Sequence, residues 1–219
     1  MPLTYNGNAP SAVTYNVNPV SEVTYNGVTV WQNAPSADVS YLTYAATYSR
    51  QLDLYLLQSA ANALSIDWGD GSPAETSSDP SEFYVGHQYI TTNTYNITLT
   101  CQPGESFEID YQGLGSGGLL AVVIGNACTK IGYEGFVDST QMTSLTLGRG
   151  IAEIEHDTFQ GCGALSSFTI TAPTPPTLGA NALGNIPATC PIYVPAASVA
   201  AYQAASSWSA RAAYIQAIP

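Results

Sequence analysis

The chain has little charge, and most of that charge is of one sign. Only 9% of its residues are Asp, Glu, Lys or Arg, against about 25% in an ordinary soluble domain. The chain has 16 acidic residues and four basic ones, which are Arg50, Lys130, Arg149 and Arg211. Nucleic-acid binding needs clustered Lys and Arg, and anionic membrane surfaces attract the same groups. The composition therefore excludes nucleic acid as a partner and disfavours a charged membrane surface.

Long apolar runs and targeting signals are also absent. No stretch approaches the roughly 20 apolar residues of a membrane helix, so we expect no membrane insertion. The first residues (MPLTYNG) have neither a basic nor an apolar region, so we expect no signal peptide there. Export would then depend on a trimmed signal or on another route, such as lysis of a phage-infected cell.

The sequence has few of the groups that carry metal or redox chemistry. The cysteines form no CxxC pair, which argues against a zinc site and favours small buried apolar residues; their spacing leaves disulfides open. They are Cys101, Cys128, Cys162 and Cys190. Asp67 and Asp70 suggest calcium, but position 12 counted from Asp67 is Ser78 rather than Glu, which excludes an EF-hand. We expect turn chemistry there and leave a weak calcium site open.

Catalytic motifs are missing as well. The only histidines are His87, expected to be a packed strand residue, and His156, expected to be exposed on a turn. No H-E-x-x-H, G-x-S-x-G or Walker motif occurs. Residues 113–118 (GLGSGG) match G-x-G-x-x-G but precede a strand-like run, whereas a dinucleotide site follows a strand and opens a helix. We predict no enzymatic activity, no metal and no cofactor.

What the chain does have begins with a decapeptide repeat in residues 1–32, the arm. Units of the form Leu/Val-Thr-Tyr-Asn place Tyr5, Tyr15 and Tyr25 ten residues apart. Each unit is a β-prone run that ends in a turn signal. A segment this short cannot bury a core alone, so it must pack on the next domain, on a copy of itself or on a larger assembly. In the last case Tyr5, Tyr15, Tyr25 and Trp31 are the candidate attachment residues.

Residues 38–112 predict a β-sandwich, because short alternating runs are separated by turn signals at sandwich spacing. Three motifs there resemble a PKD domain: residues 66–72 (IDWGDGS), 87–89 (HQY) and 95–100 (YNITLT). Asn93 stands where that family usually has Gly, and Asn tolerates the left-handed conformation better than most residues. The resemblance implies an immunoglobulin-like, non-catalytic adhesion or spacer module.

Tyrosine is abundant, with 15 residues beside so little charge. Aromatic side chains suit carbohydrate stacking and protein hot spots, although they suit strands equally well. Tyr41, Tyr44 and Tyr48 punctuate a run rich in Thr and Ala. We predict these three as ligand-contact residues.

A second repeat occupies residues 119–219. The runs 122–124 (VVI), 145–147 (LTL) and 168–170 (FTI) lie 23 residues apart, and Ile131 and Ile154 repeat at the same spacing. A period of 20–29 residues with one apolar strand per unit is typical of leucine-rich repeats. In such arrays each unit buries its face only against its neighbours.

The wording of these repeats resembles the BspA-like subclass found in gut bacteria and their phages. Residues 154–165 (IEHDTFQGCGAL) are similar to its I-x-x-x-A-F-x-x-C-x-x-L core, with Thr158 in place of the commoner Ala. Residues 192–195 (IYVP) and the aromatic residues after them resemble its C-terminal cap. The resemblance implies a short leucine-rich-repeat solenoid closed by a helical cap.

We therefore predict a mainly β chain: a β arm (1–32), an immunoglobulin-like sandwich (38–112) and a leucine-rich-repeat domain with a helical cap (119–219). Segments 33–37 and 113–118 are expected to let the domains swing. The arm's ending V-T-V-W resembles N-termini of gut-phage structural proteins. This favours a bacteriophage virion protein, in the capsid or as a head or tail fibre or decoration, bound to other virion proteins and to a host surface protein or glycan.

The alternative is a BspA-like bacterial adhesin, secreted or on the cell surface. An enzyme accessory module fits the sandwich but not the arm. Capsid or tail location, ligand identity and homo-oligomerisation stay open.

Overall fold

A computed structural model of the protein describes residues 22–25, 28–32, 37–46, 50–111 and 118–219, without the side chains of 22–25, 28–32 and 50. The fold is mainly β, with two large sheets and a short C-terminal helix, which confirms the predicted fold class at this level. The chain divides into two compact units, residues 1–36 and 37–219.

The first unit contains a hairpin in the last part of the arm. Strands β1 (Glu22–Tyr25) and β2 (Val28–Gln32) pair antiparallel, with Tyr25 opposite Val28 and Val23 opposite Trp31. The expected β character is therefore present in these residues. Two of the predicted attachment residues, Tyr25 and Trp31, lie on these strands, whereas Tyr5 and Tyr15 lie outside the described residues.

The described residues of the second unit form fifteen strands and one α-helix. In the first half the strands are β3 (Asp38–Ala46), β4 (Arg50–Gln58), β5 (Leu64–Asp67), β6 (Glu75–Thr76), β7 (Glu82–Tyr89), β8 (Asn93–Cys101) and β9 (Phe107–Ile109). In the second half they are β10 (Leu119–Ile124), β11 (Cys128–Ile131), β12 (Ser144–Leu147), β13 (Glu153–Ile154), β14 (Ser167–Ile170), β15 (Thr177–Leu178), β16 (Ile192–Val194) and β17 (Ile215–Ala217), with α1 (Val199–Ala204) between the last two.

These strands form two sheets around one core. The nine-stranded sheet has the order β17-β16-β14-β12-β10-β3-β8-β5-β6, and the six-stranded sheet has the order β15-β13-β11-β9-β4-β7. In the longer strands alternate residues are apolar and buried, such as Leu42, Tyr44 and Ala46 in β3. A period of two places such residues on one face of a strand. The buried side chains of both halves belong to a single hydrophobic cluster.

The two predicted modules are joined by strand pairing in both sheets. Strand β10 pairs antiparallel with β3, where Val122 lies opposite Leu42. Strand β11 pairs parallel with β9, where Ile131 lies opposite Ile109. The expectation that these modules swing about residues 113–118 is therefore wrong. Residues 112–117 themselves, and the other predicted linker at 33–36, lie outside the described residues.

Residues that are 23 positions apart in the sequence lie opposite each other in neighbouring parallel strands. Leu145 of β12 lies opposite Val122 and Phe168, and Leu147 lies opposite Ile124 and Ile170. A second row of short parallel strands, β11, β13 and β15, aligns in the same way. Each repeat thus contributes one strand to each sheet, and its apolar residues stack on their equivalents.

The C-terminal segment packs over the end of the repeats. Tyr202 of α1 and Trp208 are buried, and their polar atoms donate to the carbonyl oxygens of Ala172 (2.9 Å) and Pro176 (2.9 Å). The Arg211 guanidinium donates to three backbone carbonyls at 2.7–3.0 Å. Among the described helices, none has the length and apolar character needed to cross a bilayer.

Candidate binding surfaces

The turn after β5 uses its acids for turn chemistry, as predicted. Asp67 Oδ1 accepts the backbone N–H of Gly69 (2.9 Å), and Asp70 Oδ1 accepts that of Ser72 (2.9 Å). The Asp70 Oδ2 atom lies 2.8 Å from His87 Nε2, which links this turn to β7 of the other sheet. Within the described residues, no three His, Cys, Asp or Glu side chains gather as a metal-binding group.

The electrostatics of Asp70 follow from these contacts. Burial alone raises the pKa of its carboxyl, but hydrogen bonds from Ser72 and the contact with His87 outweigh burial and lower the pKa to about 2. Hydrogen bonds to a carboxylate stabilise its charged form. Asp70 is therefore an ionised structural acceptor.

His87 is a packed residue, as predicted. Its ring stacks on the buried Trp68 at 4.6 Å and meets the edge of Tyr89 at 4.7 Å. The Trp68 indole donates to Glu75 Oε1 (2.9 Å), and the Tyr89 hydroxyl donates to the Trp68 carbonyl (3.0 Å). These contacts fix the end of the sandwich-like half.

All four cysteines are buried and free of disulfides. Burial raises the pKa of the Cys101 thiol to about 11 and those of Cys128 and Cys162 to about 12. Because the thiolate is the nucleophile and the metal ligand, such thiols fit the predicted role of small apolar residues.

Two depressions lie in the described surface. One of about 300 Å³ lies between the last repeat and the C-terminal segment, and its one charged side chain, Arg211, is held by backbone carbonyls. Another of about 250 Å³ is lined by serines, Leu57 and Glu108. Ser59, one of the serines that line the second depression, donates from its hydroxyl to Glu105 Oε2 (2.6 Å).

Two of the predicted ligand-contact tyrosines, Tyr41 and Tyr44, do not share a surface. Tyr41 points outward and is 52% exposed, whereas Tyr44 is fully buried with its ring 5.5 Å from that of Tyr89. Residues 41 and 44 lie on opposite faces of β3. Tyr48 lies outside the described residues. Of the three, Tyr41 is the one that the structure describes at the surface.

The outer side of the nine-stranded sheet carries a row of uncharged side chains, which we call the neutral face. Tyr41 pairs with Thr98 and Val123, and the row continues through successive repeats to β17. Its members are Thr98, Tyr41, Val123, Thr146, Thr169, Tyr193 and Gln216. From Thr98 to Gln216 no charged residue interrupts this row.

The outer side of the six-stranded sheet differs; we call it the acidic face. Glu108 pairs with Leu57 and Lys130, and Lys130 pairs with Glu153. The Lys130 ammonium lies 2.5 Å from Glu155 and 3.9 Å from Glu153. The hydrogen bond with Glu155 raises the pKa of Lys130 and lowers that of Glu155.

Two tyrosines stack at one end of the acidic face. Tyr55 of β4 and Tyr84 of β7 are directly opposite in the strand register, with ring centroids 4.3 Å apart. They are 38% and 58% exposed. The next pair along the strands is Asp53 and Gly86. Together with Gln51, these four residues form what we call the tyrosine platform.

The platform is held together by polar contacts. Gln51 Nε2 donates to Asp53 Oδ1 (2.6 Å). A hydrogen bond with Tyr55, followed by the negative charge of Asp53, raises the pKa of Tyr84 to about 12. A Cβ at Gly86 would collide with the Asp53 carboxylate and the Gln51 amide. Glycine at this strand position lets both side chains lie across β7.

A ladder of planar rings borders the same face. Tyr111, Tyr133 and His156 each lie two residues beyond paired isoleucines, and neighbouring centroids are 5.2 and 4.1 Å apart. The hydrogen bond with the Glu134 side chain raises the pKa of Tyr133 to about 12. His156 is exposed, as predicted, and its Nδ1 lies 3.3 Å from Asp157 Oδ2. We call these three residues the ring ladder.

Sequence reasoning missed both aromatic groups. Strand alternation does place Tyr55 and Tyr84 opposite the buried residues of their strands. Their meeting depends on the register of β4 and β7, which no local pattern gives. The ring ladder leaves a spacing signal, because its members are 22 and 23 residues apart.

Comparison with known proteins adds no relative. No model of a known protein family matches the chain, and no curated protein matches it.

Proposed function

We propose that the chain is a non-enzymatic structural and adhesion protein of a bacteriophage virion, on the capsid or as a head or tail fibre or decoration. In this proposal the arm binds other virion proteins, and residues 37–219 display binding surfaces toward a host surface protein or glycan. The two halves of the displayed unit are a PKD-like immunoglobulin-like sandwich and a short BspA-like leucine-rich-repeat solenoid.

The division of the chain into units 1–36 and 37–219 is the observation that carries this proposal. The second unit has a continuous core of its own. The first contains a two-stranded hairpin, and isolated two-stranded hairpins are marginally stable in water. A β-prone segment of this kind gains stability by pairing with another surface. This supports attachment as the role of the arm.

A display role also agrees with the chemistry of the second unit. Its cysteines are buried, His87 is packed into an aromatic stack, and Asp70 is held in a turn. Three of its exposed tyrosines, Tyr41, Tyr55 and Tyr84, lie on outward sheet surfaces. Large exposed aromatic side chains are the residue types that most often anchor ligands and partners.

The alternative is a BspA-like bacterial surface adhesin. Antibodies against the chain can separate the two, applied with gold labels to particles and to cells from a culture that produces it. Labelled particles support the virion protein, and a labelled cell envelope with bare particles supports the adhesin.

The attachment role has its own test. Deletion of residues 1–32 should leave the melting of the remaining chain nearly unchanged but abolish its incorporation into particles. A truncated chain that still joins the particle, or that no longer folds, contradicts the attachment role.

A further inference from the structure

We propose that the tyrosine platform is a binding site for neutral saccharides, recognised as uncharged pyranose rings of a cell-surface glycan. This inference rests on the proposed display function and names the ligand class of one surface. It is carried by the juxtaposition of two exposed stacked rings with a preorganised carboxylate–amide pair on an open sheet edge.

The rings supply the apolar part of such a site. Tyr55 and Tyr84 project from the outer side of the sheet and keep 38% and 58% of their surface exposed. Each ring covers one face of the other, with centroids 4.3 Å apart, and the exposed part of each ring faces solvent. One side of a pyranose ring presents C–H groups, which pack on the electron-rich face of an aromatic ring.

The polar part lies one residue pair away along the same two strands. Asp53 sits beside Tyr55 on β4, and Gln51 follows with Gln88 opposite it. A carboxylate accepts hydrogen bonds at both oxygens, whereas an amide both donates and accepts. Neighbouring sugar hydroxyls are matched donors and acceptors. The Asp53–Gln51 contact of 2.6 Å engages one carboxylate oxygen.

Gly86 preorganises this arrangement. A side chain at this position would displace the Asp53 carboxylate and the Gln51 amide from their place across β7. A glycine inside a strand weakens the strand and marks a close approach of other groups. Polar groups that are already ordered lose less conformational entropy when a ligand binds.

The surroundings select the charge of the ligand. Among the strands that the structure describes, β7 is the last of its sheet. The neighbouring rows carry Glu82, Glu108 and Asp110, and the chain has a net charge of −12. Like charges repel across such an interface, so sulfated and uronic-acid glycans are disfavoured.

The test is affinity electrophoresis of the full-length chain through gels that contain one polysaccharide each. The neutral probes are mannan, β-glucan, galactan and xylan, and the acidic probes are alginate and heparin. The full chain should be retarded by at least one neutral probe and by neither acidic probe. Retardation by acidic probes alone, or by none of the six, overturns the proposal.

Three variants test whether the polysaccharide binds at the tyrosine platform. Tyr84→Ala should raise the dissociation constant for the retarding polysaccharide about tenfold or more. Gly86→Ala keeps both rings but displaces Asp53 and Gln51, and should also weaken binding. Tyr214→Ala removes another exposed tyrosine, directly before β17 of the other sheet, and should bind as the unmodified chain does. Equal retardation of all three variants, each checked for unchanged melting, overturns the proposal.

This result is separable from that of the proposed function. The platform lies on the second unit, so Tyr84→Ala should still be incorporated into particles. Loss of glycan binding with normal incorporation supports the saccharide site, whereas failed incorporation of the arm deletion concerns the arm alone.

Discussion

The two outer sheet surfaces of residues 37–219 are built by the same strands-per-repeat pattern, yet they carry opposite chemistry. On the neutral face, equivalent positions of successive repeats are Val123, Thr146 and Thr169. On the acidic face, the equivalent positions are Glu108, Lys130 and Glu153. Both rows cover the same core. The difference shows that the core constrains the inward residues and leaves each outward row to vary with its own role.

The two faces also differ in their aromatic groups. The tyrosine platform and the ring ladder both border the acidic face, and the backbone N–H of Asp110 donates to the Tyr55 carbonyl between them (3.0 Å). The neutral face has Tyr41 as its one strongly exposed ring among the described positions of its row. The two faces therefore differ in how many exposed rings they group together, with a stacked pair on the acidic face and a single ring in the neutral row.

The largest loss of stability is expected from disrupting the core that both faces share. Leu147 is fully buried between the sheets, so Leu147→Asp would bury an unpaired carboxylate at a cost of several kcal/mol. We expect a large fall in the midpoint of urea unfolding. Circular dichroism and tryptophan fluorescence should report one shared transition, because one cluster includes both halves.

Thr146→Asp is the matched control for this variant. Thr146 is the neighbouring residue, half-buried on the neutral face, so its substitution should change stability little. Similar losses for both variants would mean that the register of β12 is not the one described.

A smaller loss of stability is expected when the Asp70 carboxylate, which contacts His87 of the other sheet, is removed. The pKa of Asp70 is lowered from 3.8 to about 2, so its stabilising contribution is present above about pH 4 and is lost as the pH falls toward 2. Asp70→Asn should lower stability by about 1 kcal/mol at neutral pH, and the difference should shrink near pH 2. Urea unfolding at several pH values measures this.

Glu82→Gln provides the comparison for Asp70→Asn, because Glu82 is an exposed acid on β7. A difference between Asp70→Asn and the unmodified chain that stays constant from pH 7 to pH 2 would contradict the described role of the carboxylate.

The smallest effect concerns the acidic face alone. Lys130 lies among Glu108, Glu153 and Glu155, so Lys130→Gln leaves these acids without a neutralising charge. We expect a loss of about 0.5 kcal/mol at low salt that diminishes at about 1 M NaCl, where the screening length is about 3 Å. Arg149→Gln, at an exposed position beyond β12, should show no comparable salt dependence.

Local patterns were sufficient to find most strands. The run 95–100 lies within β8 (Asn93–Cys101), and the runs 145–147 and 168–170 lie within β12 and β14. The reason is that alternation and a fixed repeat spacing are properties of neighbouring residues. The turn at Asp70 was equally readable, because Asp-Gly favours tight turns.

The sequence does not indicate which distant strands pair with each other. Nothing in residues 119–124 indicates that β10 lies beside β3, about 80 residues earlier in the chain, because strand propensity does not specify a partner. For the same reason the sequence does not predict the tyrosine platform, because Tyr55 and Tyr84 meet only through the register of β4 with β7. It also led to the wrong expectation of a swinging joint.

The repeat register has a consequence for how such a protein changes length. Each 23-residue unit adds one strand to both sheets, as Val122, Leu145 and Phe168 show by lying side by side. Duplication of one whole unit would therefore move the C-terminal end outward by about 4.8 Å, the spacing between strands. The tyrosine platform, at the opposite end of the six-stranded sheet, would keep its geometry. The number of repeats therefore sets the length of this unit without changing the strand pairing that forms the platform.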